Sequence, residues 1–344
     1  MPKGVFLKAV RDIWCTVKRP GLVIEWYKLW GTLPVSSWIA AAHHFQDGDF
    51  KLALACYERG LASNSNHPAA PCARLDAAYC RYRLDDLELA VEGLTVLING
   101  ESRLKDAFLL LSKIHALLGR PLSAESVMSR AKELFPNEWQ VLVLFIHLGL
   151  NQGFPEDSIG EAFDMLVATK RDIPLEDPRQ AAIDTAIAHF EIRCGDTELG
   201  DRLLARVLAT GRAPYEAVLL RGERLIEQGR IVPGREQLAR AMAGLPRSSR
   251  PAMLLASSYL LEGTFFEPEY AKQMASTACT ISHWQDVTCL EILVKAYEAV
   301  NEDSVAQLFK SRAASLPSTQ EYERLSALGG RIVNNLPMKI PSAG

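Results

Sequence analysis

Apolar residues recur along this 344-residue chain with the spacing of an α-helix. A small residue is followed by further core-forming positions four and seven residues later, which places all three on one helix face. Eight such triplets occur, and their starts lie 34 to 38 residues apart. They are Ala53/Tyr57/Gly60, Ala90/Leu94/Leu97, Ala124/Met128/Ala131, Ala162/Leu166/Thr169, Gly200/Leu204/Val207, Gly234/Leu238/Ala241, Ala271/Ala275/Ala278 and Ala306/Lys310/Ala313. The pattern predicts a chain of structural repeats.

Each repeat also contains signals for an earlier helix and a turn. Small residues precede five of the triplets by about twelve positions: Ala41, Ala78, Ser112, Ala188 and Gly222. Between the two helices, glycine can supply a positive φ and aspartate can cap the helix that follows. The predicted turns contain Asp47, Gly48, Asp49, Asp85, Asp86, Gly119, Arg120, Gly153, Gly195, Asp196, Gly229, Arg230, Asn301 and Glu302. A single helix pair cannot bury its apolar face alone, so we expect the pairs to stack.

This pattern resembles the tetratricopeptide repeat, a helix–turn–helix unit of about 34 residues. The third repeat matches the family signature best, through Phe108, Leu111, Ser112, His115, Gly119, Ala124, Met128, Ala131 and Pro136. The resemblance covers residues 35–317 and implies an all-α fold, a right-handed α-solenoid of about eight helix-turn-helix repeats. It also implies a concave groove lined by the first helix of each repeat. An irregular helical bundle is the alternative.

The two ends of the chain differ from the repeats. Residues 1–30 carry six cations and two acids, a net charge of +4, whereas the whole chain carries −3. Phe6, Trp14, Trp26 and Trp30 accompany these cations, a composition typical of a helix at a membrane interface. The segment 1–34 is therefore expected to cap the first repeat, to occupy the chain's own groove or to touch a membrane surface. A capping helix is predicted within 318–336 and a flexible tail at 337–344.

Signatures of catalysis and of cofactor binding are missing from the sequence. It contains no phosphate-binding loop, dinucleotide fingerprint, nucleophile elbow or zinc-protease motif. Seven scattered cysteines without close pairs favour a reducing compartment over disulfides or zinc. His43 and His44 point about 100° apart on a helix and cannot readily share an ion. We predict a cytoplasmic protein, free or peripheral to the inner face of a membrane, that is no enzyme and holds no cofactor or metal.

The resemblance also implies which side chains line the groove. The corresponding positions in the first three repeats hold Trp38, Ile39, Phe45, Leu75, Tyr79, Tyr82, Arg83, Leu109, Leu110 and Lys113. This lining suits an amphipathic helix or a hydrophobic peptide, with the aromatic rings as anchors. Some family members hold a C-terminal carboxylate with Lys and Asn at groove positions that are Trp38, Ala42, Leu75 and Tyr79 here, so that ligand is not expected. Tight packing of the repeats, which would hide these side chains, is the alternative.

Charged residues give the later repeats a different predicted lining. Their first helices carry Arg193, Glu216, Glu223, Glu227, Glu291, Lys295 and Glu298, which predicts a more acidic wall. The arginines of residues 202–250 are interleaved with acids, which argues against a nucleic-acid partner. The sequence thus predicts a non-catalytic protein-protein interaction scaffold or adaptor, with peripheral membrane attachment through Phe6, Trp14, Trp26 and Trp30 as the alternative.

Overall fold

The computed structural model describes residues 35–100, 104–174 and 176–316 of the chain. Those residues form sixteen α-helices and no strand. In chain order these are α1 Ser36–Gln46, α2 Phe50–Ser63, α3 Ala70–Arg83, α4 Leu87–Asn99, α5 Lys105–Leu117, α6 Pro121–Leu134, α7 Trp139–Gln152, α8 Glu156–Arg171, α9 Arg179–Cys194, α10 Thr197–Ala209, α11 Tyr215–Glu227, α12 Ile231–Gly244, α13 Arg250–Tyr259, α14 Pro268–Ile281, α15 Val287–Ala299 and α16 Asp303–Ser315. They follow one another as eight helix pairs, which confirms the predicted all-α repeat.

The chain separates into two compact units, Met1–Ile114 and His115–Gly344, with the boundary inside α5. We call them the first unit and the second unit. The described part of the first unit contains α1 to α4 and most of α5, and that of the second unit contains α6 to α16. The predicted head at 1–34, the capping helix within 318–336 and the tail at 337–344 lie outside the described residues.

The triplets occupy the second helix of each pair, and six of the eight are buried throughout; in the other two, Thr169 of α8 is half-buried and Lys310 of α16 is exposed. Ala53, Tyr57 and Gly60 are buried in α2, and the equivalent residues are buried in α4, α6, α10, α12 and α14. Small residues at the crossing let the two helices of a pair approach closely. Gly222 of α11 shows why: a Cβ at this position would lie 3.0 Å from the backbone nitrogen of Leu238 in α12.

Turn residues reverse the chain in the way their sequence predicts. Positive φ angles occur at Gly48, Asp85, Gly119, Gly153, Gly229 and Asn301, all at predicted turns. The carboxylates of Asp49 and Asp196 accept hydrogen bonds from the backbone N–H groups of Leu52 and Leu199, each at 3.1 Å. Both aspartates therefore cap the second helix of their pair. Gly195 is the exception, because its φ of −125° lies outside the left-handed region.

The most apolar segment of the described chain is α7, in which Val141, Leu142, Phe145, Ile146 and Gly149 are buried. It is an interior helix of the second unit. No helix among the described residues combines the length and the apolar character that crossing a membrane requires.

Candidate functional site

Four aromatic rings and one guanidinium group meet at the turn end of the first two helix pairs. This aromatic cluster consists of Phe45, Phe50, Tyr79, Tyr82 and Arg83. The rings of Phe45 and Phe50 are 5.5 Å apart and nearly perpendicular, and the ring of Tyr79 lies 5.3 Å from Phe45 and 6.3 Å from Phe50. Tyr82 lies 6.0 Å from Tyr79. Edge-to-face and tilted contacts of this kind hold rings in place beyond simple burial.

Local structure explains why these residues come together. Phe45 is near the end of α1 and Phe50 begins α2, and the turn with a positive φ at Gly48 brings the two rings into contact. Tyr79, Tyr82 and Arg83 lie three and four residues apart at the end of α3, so they share one helix face. The cluster is therefore built from two neighbouring helix pairs.

The cluster remains open to solvent. Its four rings are half-buried, and Arg83 is exposed. The guanidinium carbon of Arg83 lies 4.3 Å from the centre of the Phe50 ring, and the group donates a hydrogen bond of 3.4 Å to the Tyr79 hydroxyl. An exposed cation–π contact contributes about 0.5–1 kcal/mol. The result is an apolar surface that already carries an ordered positive charge.

Trp38 was predicted to line the groove, but the structure places it in the core of the first helix pair. Its side chain is 1% exposed, and its indole N–H donates a hydrogen bond of 3.3 Å to the carbonyl of Tyr57. Gly60 makes room for the ring, because a Cβ there would lie 2.2 Å from the indole nitrogen. Ile39 and Leu110 are buried as well. These three side chains are therefore not accessible to a partner, because they are buried by the packing of the helices.

The remaining predicted groove residues differ in their exposure to solvent. Leu75 and Leu109 are half-buried, and Lys113 is exposed on α5. Within the described residues, none of the ring contacts of the cluster involves them. The structure thus assembles Phe45, Tyr79, Tyr82 and Arg83 from the predicted set. Phe6, Trp14, Trp26 and Trp30 lie outside the described residues.

Sequence reasoning missed Phe50. The family pattern directs attention to first helices, whereas Phe50 is the opening residue of a second helix. A usable signal was present, because Phe50 directly follows the capping residue Asp49 and is separated from Phe45 by a tight turn. Two aromatic residues that flank a three-residue turn are expected to meet.

Asp76, on the same helix as Tyr79, takes part in the contact between α2 and α3. The hydroxyl of Tyr57 donates a hydrogen bond of 3.0 Å to its carboxylate. Burial raises the pKa of Asp76, and burial beside this carboxylate raises the pKa of the Cys80 thiol to about 12. A thiol with so high a pKa is a poor nucleophile. These groups are part of the contact between α2 and α3.

The second unit has an ion-paired face where the sequence predicted an acidic one. Glu223 on α11 is paired with Arg193 on α9 and with Arg250 on α13, the latter at 2.9 Å. Glu227 accepts from Arg193 at 3.3 Å and from Arg224 at 2.6 Å. The prediction omitted Arg250, which lies 27 residues from Glu223 in the sequence. Arginines from neighbouring helices thus compensate the acids.

Two histidines from different helices meet beside this network. The Nδ1 atoms of His147 on α7 and His189 on α9 are 2.9 Å apart, so one donates and the other accepts. Burial, the His147 ring, and the guanidinium groups of Arg250 and Arg193 hold the pKa of His189 well below its usual range. Across the described ranges, no group of three or more His, Cys, Asp or Glu residues could hold a metal ion.

Comparison with known proteins gives a structural likeness. No protein-family model and no curated protein matches the chain. A tetratricopeptide repeat protein from Parabacteroides merdae superimposes with a TM-score of 0.54 at 12% identity, over 76% of this chain and 97% of that one. A human IFIT1 dimer with m7Gppp-AAAA gives a TM-score of 0.51 at 12% identity, over 86% of this chain and 73% of that one.

At this level of identity, the likeness establishes the fold. It agrees with the eight helix pairs, the buried triplets and the positive-φ turns described above. The chain therefore has a tetratricopeptide-like helical-repeat fold.

Proposed function

We propose that this protein is a non-catalytic interaction scaffold, and that the aromatic cluster of the first unit binds a helical, hydrophobic segment of a partner protein. The half-buried rings of Phe45, Phe50, Tyr79 and Tyr82 around the exposed Arg83 carry this proposal. Tetratricopeptide-like folds are commonly interaction scaffolds, which is the expectation that the fold supports.

The cluster has the properties of an anchor site. Aromatic and arginine side chains are enriched among the residues that dominate binding energy. Their mutual contacts restrict the rings before a partner arrives, which lowers the entropy cost of binding. An amphipathic helix presents apolar residues three and four positions apart, and such a stripe matches a compact set of rings. The exposed guanidinium of Arg83 would favour an acidic residue beside that stripe.

Affinity purification with quantitative mass spectrometry tests this proposal. We expect Tyr79→Ala and Arg83→Glu each to reduce recovery of the partner by about tenfold or more, the effect of losing an anchor residue. Arg83→Glu leaves the rings intact and changes only an exposed residue, so it separates loss of binding from loss of folding. Leu89→Ala on α4 and Arg59→Glu on α2 are the matched exposed controls in the same unit.

Equal partner recovery by Tyr79→Ala, Arg83→Glu and the controls would show that the cluster does not bind the partner. Circular dichroism of each variant confirms that the helices are retained. Attachment of the head to a membrane through Phe6, Trp14, Trp26 and Trp30 stays a separate prediction from the sequence, and so does a cytoplasmic location.

A further inference from the structure

The turn between α13 and α14 is longer than the others. It spans residues 260–267, eight residues, whereas the turns within the other seven pairs contain two or three. Gly263 supplies the positive φ of this turn, 94°, within an inserted loop. Two or three residues are enough to reverse the chain in the other pairs, so the additional residues of this loop are not needed for the reversal.

This loop has a defined conformation because Arg235 of α12 forms hydrogen bonds with several of its groups. The Arg235 guanidinium donates hydrogen bonds to the carbonyls of Ser258 and Phe265, at 2.8 and 2.6 Å, and to the Glu267 carboxylate at 3.1 Å. It also lies 3.9 Å from the centre of the Tyr259 ring. The backbone N–H of Glu267 donates to the Tyr259 carbonyl at 2.8 Å and closes the loop.

Large apolar side chains project from this ordered base into solvent. Leu261 is 38% exposed, Phe266 43% and Tyr270 56%. Three of the eleven large exposed hydrophobic residues in the described chain thus fall within ten positions of sequence. The Tyr270 ring stacks on Tyr259 at 5.5 Å, which fixes its orientation while it remains exposed. A concentration of exposed apolar residues on a rigid support is typical of an interaction surface.

Two exposed glutamates, Glu262 and Glu269, lie within the same ten positions of sequence, and the cations that contact this segment are recessed. The side chain of Glu269 is 71% exposed, and Glu262 is exposed without an ion pair or hydrogen bond to the described residues. The cations Arg235 and Lys272 are only 11% and 23% exposed and are already paired with Glu267, and with Glu269 and Glu302. The exposed side chains of residues 261–270 are therefore mainly apolar or acidic.

We propose that Leu261, Glu262, Phe266, Glu269 and Tyr270, here called the loop patch, bind a basic amphipathic segment of a partner protein. Apolar side chains of that segment would pack on Leu261 and Phe266. Its lysine or arginine side chains would lie over the exposed Tyr270 ring and near the two carboxylates. Tyr259 already receives a guanidinium in this way from Arg235.

The loop patch is separate from the aromatic cluster and has the opposite charge preference. The aromatic cluster carries the exposed cation Arg83, whereas the loop patch carries exposed carboxylates. The loop patch thus requires a partner chemistry that the proposed function does not include. Failure of one proposal leaves the other intact, because no residue is shared.

Two matched synthetic peptides test the loop patch on the full chain. Both have the same leucine and alanine positions of an amphipathic helix, and their polar positions are lysine and arginine in one peptide and glutamate in the other. Fluorescence anisotropy at moderate salt measures binding. We expect the basic peptide to bind at least about tenfold more tightly than the acidic one.

Variants then locate the binding. The double variant Phe266→Ala/Tyr270→Ala and the double variant Glu262→Lys/Glu269→Lys are each expected to weaken the basic peptide by about tenfold or more. The second keeps every apolar side chain; because Glu269 also pairs with Lys272 at 3.1 Å, circular dichroism of this variant checks that its helices are retained. The control is the double variant Glu88→Lys/Glu92→Lys on α4 of the first unit. It produces the same change in net charge and should leave binding unchanged.

Three results would overturn the proposal. The first is equal affinity for the basic and acidic peptides. The second is an affinity for the basic peptide that both patch variants leave unaltered. The third is concentration-dependent self-association of the full chain that Phe266→Ala/Tyr270→Ala abolishes, as measured by analytical ultracentrifugation, because a second copy would then cover the loop patch.

Discussion

The two units use the same pair of residue types, arginine and aromatic rings, for different purposes. In the first unit, Arg83 lies over Phe50 at 4.3 Å and remains exposed. In the second unit, Arg235 lies over Tyr259 at 3.9 Å with only 11% of its side chain exposed, and it donates to two backbone carbonyls. The contrast teaches that burial and backbone hydrogen bonds, rather than residue type, decide whether an arginine orders the fold or faces a partner.

The difference extends to the surroundings of each arginine. The aromatic cluster is open and contains one exposed positive charge. At the α13–α14 turn, by contrast, the cation Arg235, supplied by α12, is enclosed, and the carboxylates of Glu262 and Glu269 are exposed. Removing an exposed charged side chain changes the free energy of unfolding little, because water already solvates the charge and its contacts are weak. A buried donor leaves its acceptors unsatisfied when it is lost.

The largest expected effect follows from removing Arg235. Arg235→Ala leaves the carbonyls of Ser258 and Phe265 without their donor and is expected to lower the free energy of unfolding by about 2–4 kcal/mol. Urea denaturation measures this loss, and limited proteolysis should detect new cleavage near Gly263. Arg230→Ala, at an exposed position before α12, is the control. A loss no greater than that of the control would contradict the clamping role of Arg235.

A smaller effect, confined to acid, is expected from His189 on the ion-paired face of the second unit. Its pKa in the folded state is lowered, so the unfolded chain binds the proton more readily than the folded chain does. Stability should therefore fall as the pH drops below about 6.5, the usual pKa of histidine. This loss continues until the pH reaches the lowered pKa of the folded state.

His189→Gln removes that titration, and we expect its stability to decline less steeply than that of the parent chain between about pH 7 and pH 5. Urea midpoints across this range provide the measurement. His44→Gln in the first unit is the comparison variant. Parallel pH profiles for His189→Gln and the parent chain would show that the buried histidine does not limit stability in acid.

The smallest expected effect is that of Arg83. Arg83→Ala should change the free energy of unfolding by no more than about 1 kcal/mol, because the residue is exposed and its cation–π contact is weak. Thermal or urea unfolding, run beside Arg235→Ala, gives the direct comparison. If Arg83→Ala lowered the free energy of unfolding as much as Arg235→Ala does, Arg83 would be required for the structure of the aromatic cluster.

Much of the candidate site was predictable from sequence. Phe45, Tyr79, Tyr82 and Arg83 were expected from the resemblance to the tetratricopeptide repeat. Tyr79, Tyr82 and Arg83 share a face because of the local helical spacing of α3, whereas the contact of Phe45 with Tyr79 depends on the packing of α1 near α3. Trp38 was wrong as a contact residue for a nonlocal reason. Its accessibility depends on the space beside Gly60, a residue of another helix, which no pattern within α1 reveals.

The second unit shows the same limit for charges. The sequence shows Glu223 as an acidic residue of α11. Its charge is compensated by Arg193 and Arg250, which belong to two other helices. Likewise, the conformation of the inserted loop depends on Arg235, which lies 30 residues before Phe265. Such partners are chosen by the stacking of successive pairs.

The sequence by itself determined the helix pairs, their number and the position of every turn within a pair except the one between α13 and α14. Those features depend on the apolar period of a helix, on small residues at crossings and on residues that accept a positive φ, all of which act within a few positions. Only the tertiary structure decided which aromatic rings stay open and which arginines are enclosed. Burial is a property of the packed neighbours, and those neighbours come from other helices of the repeat.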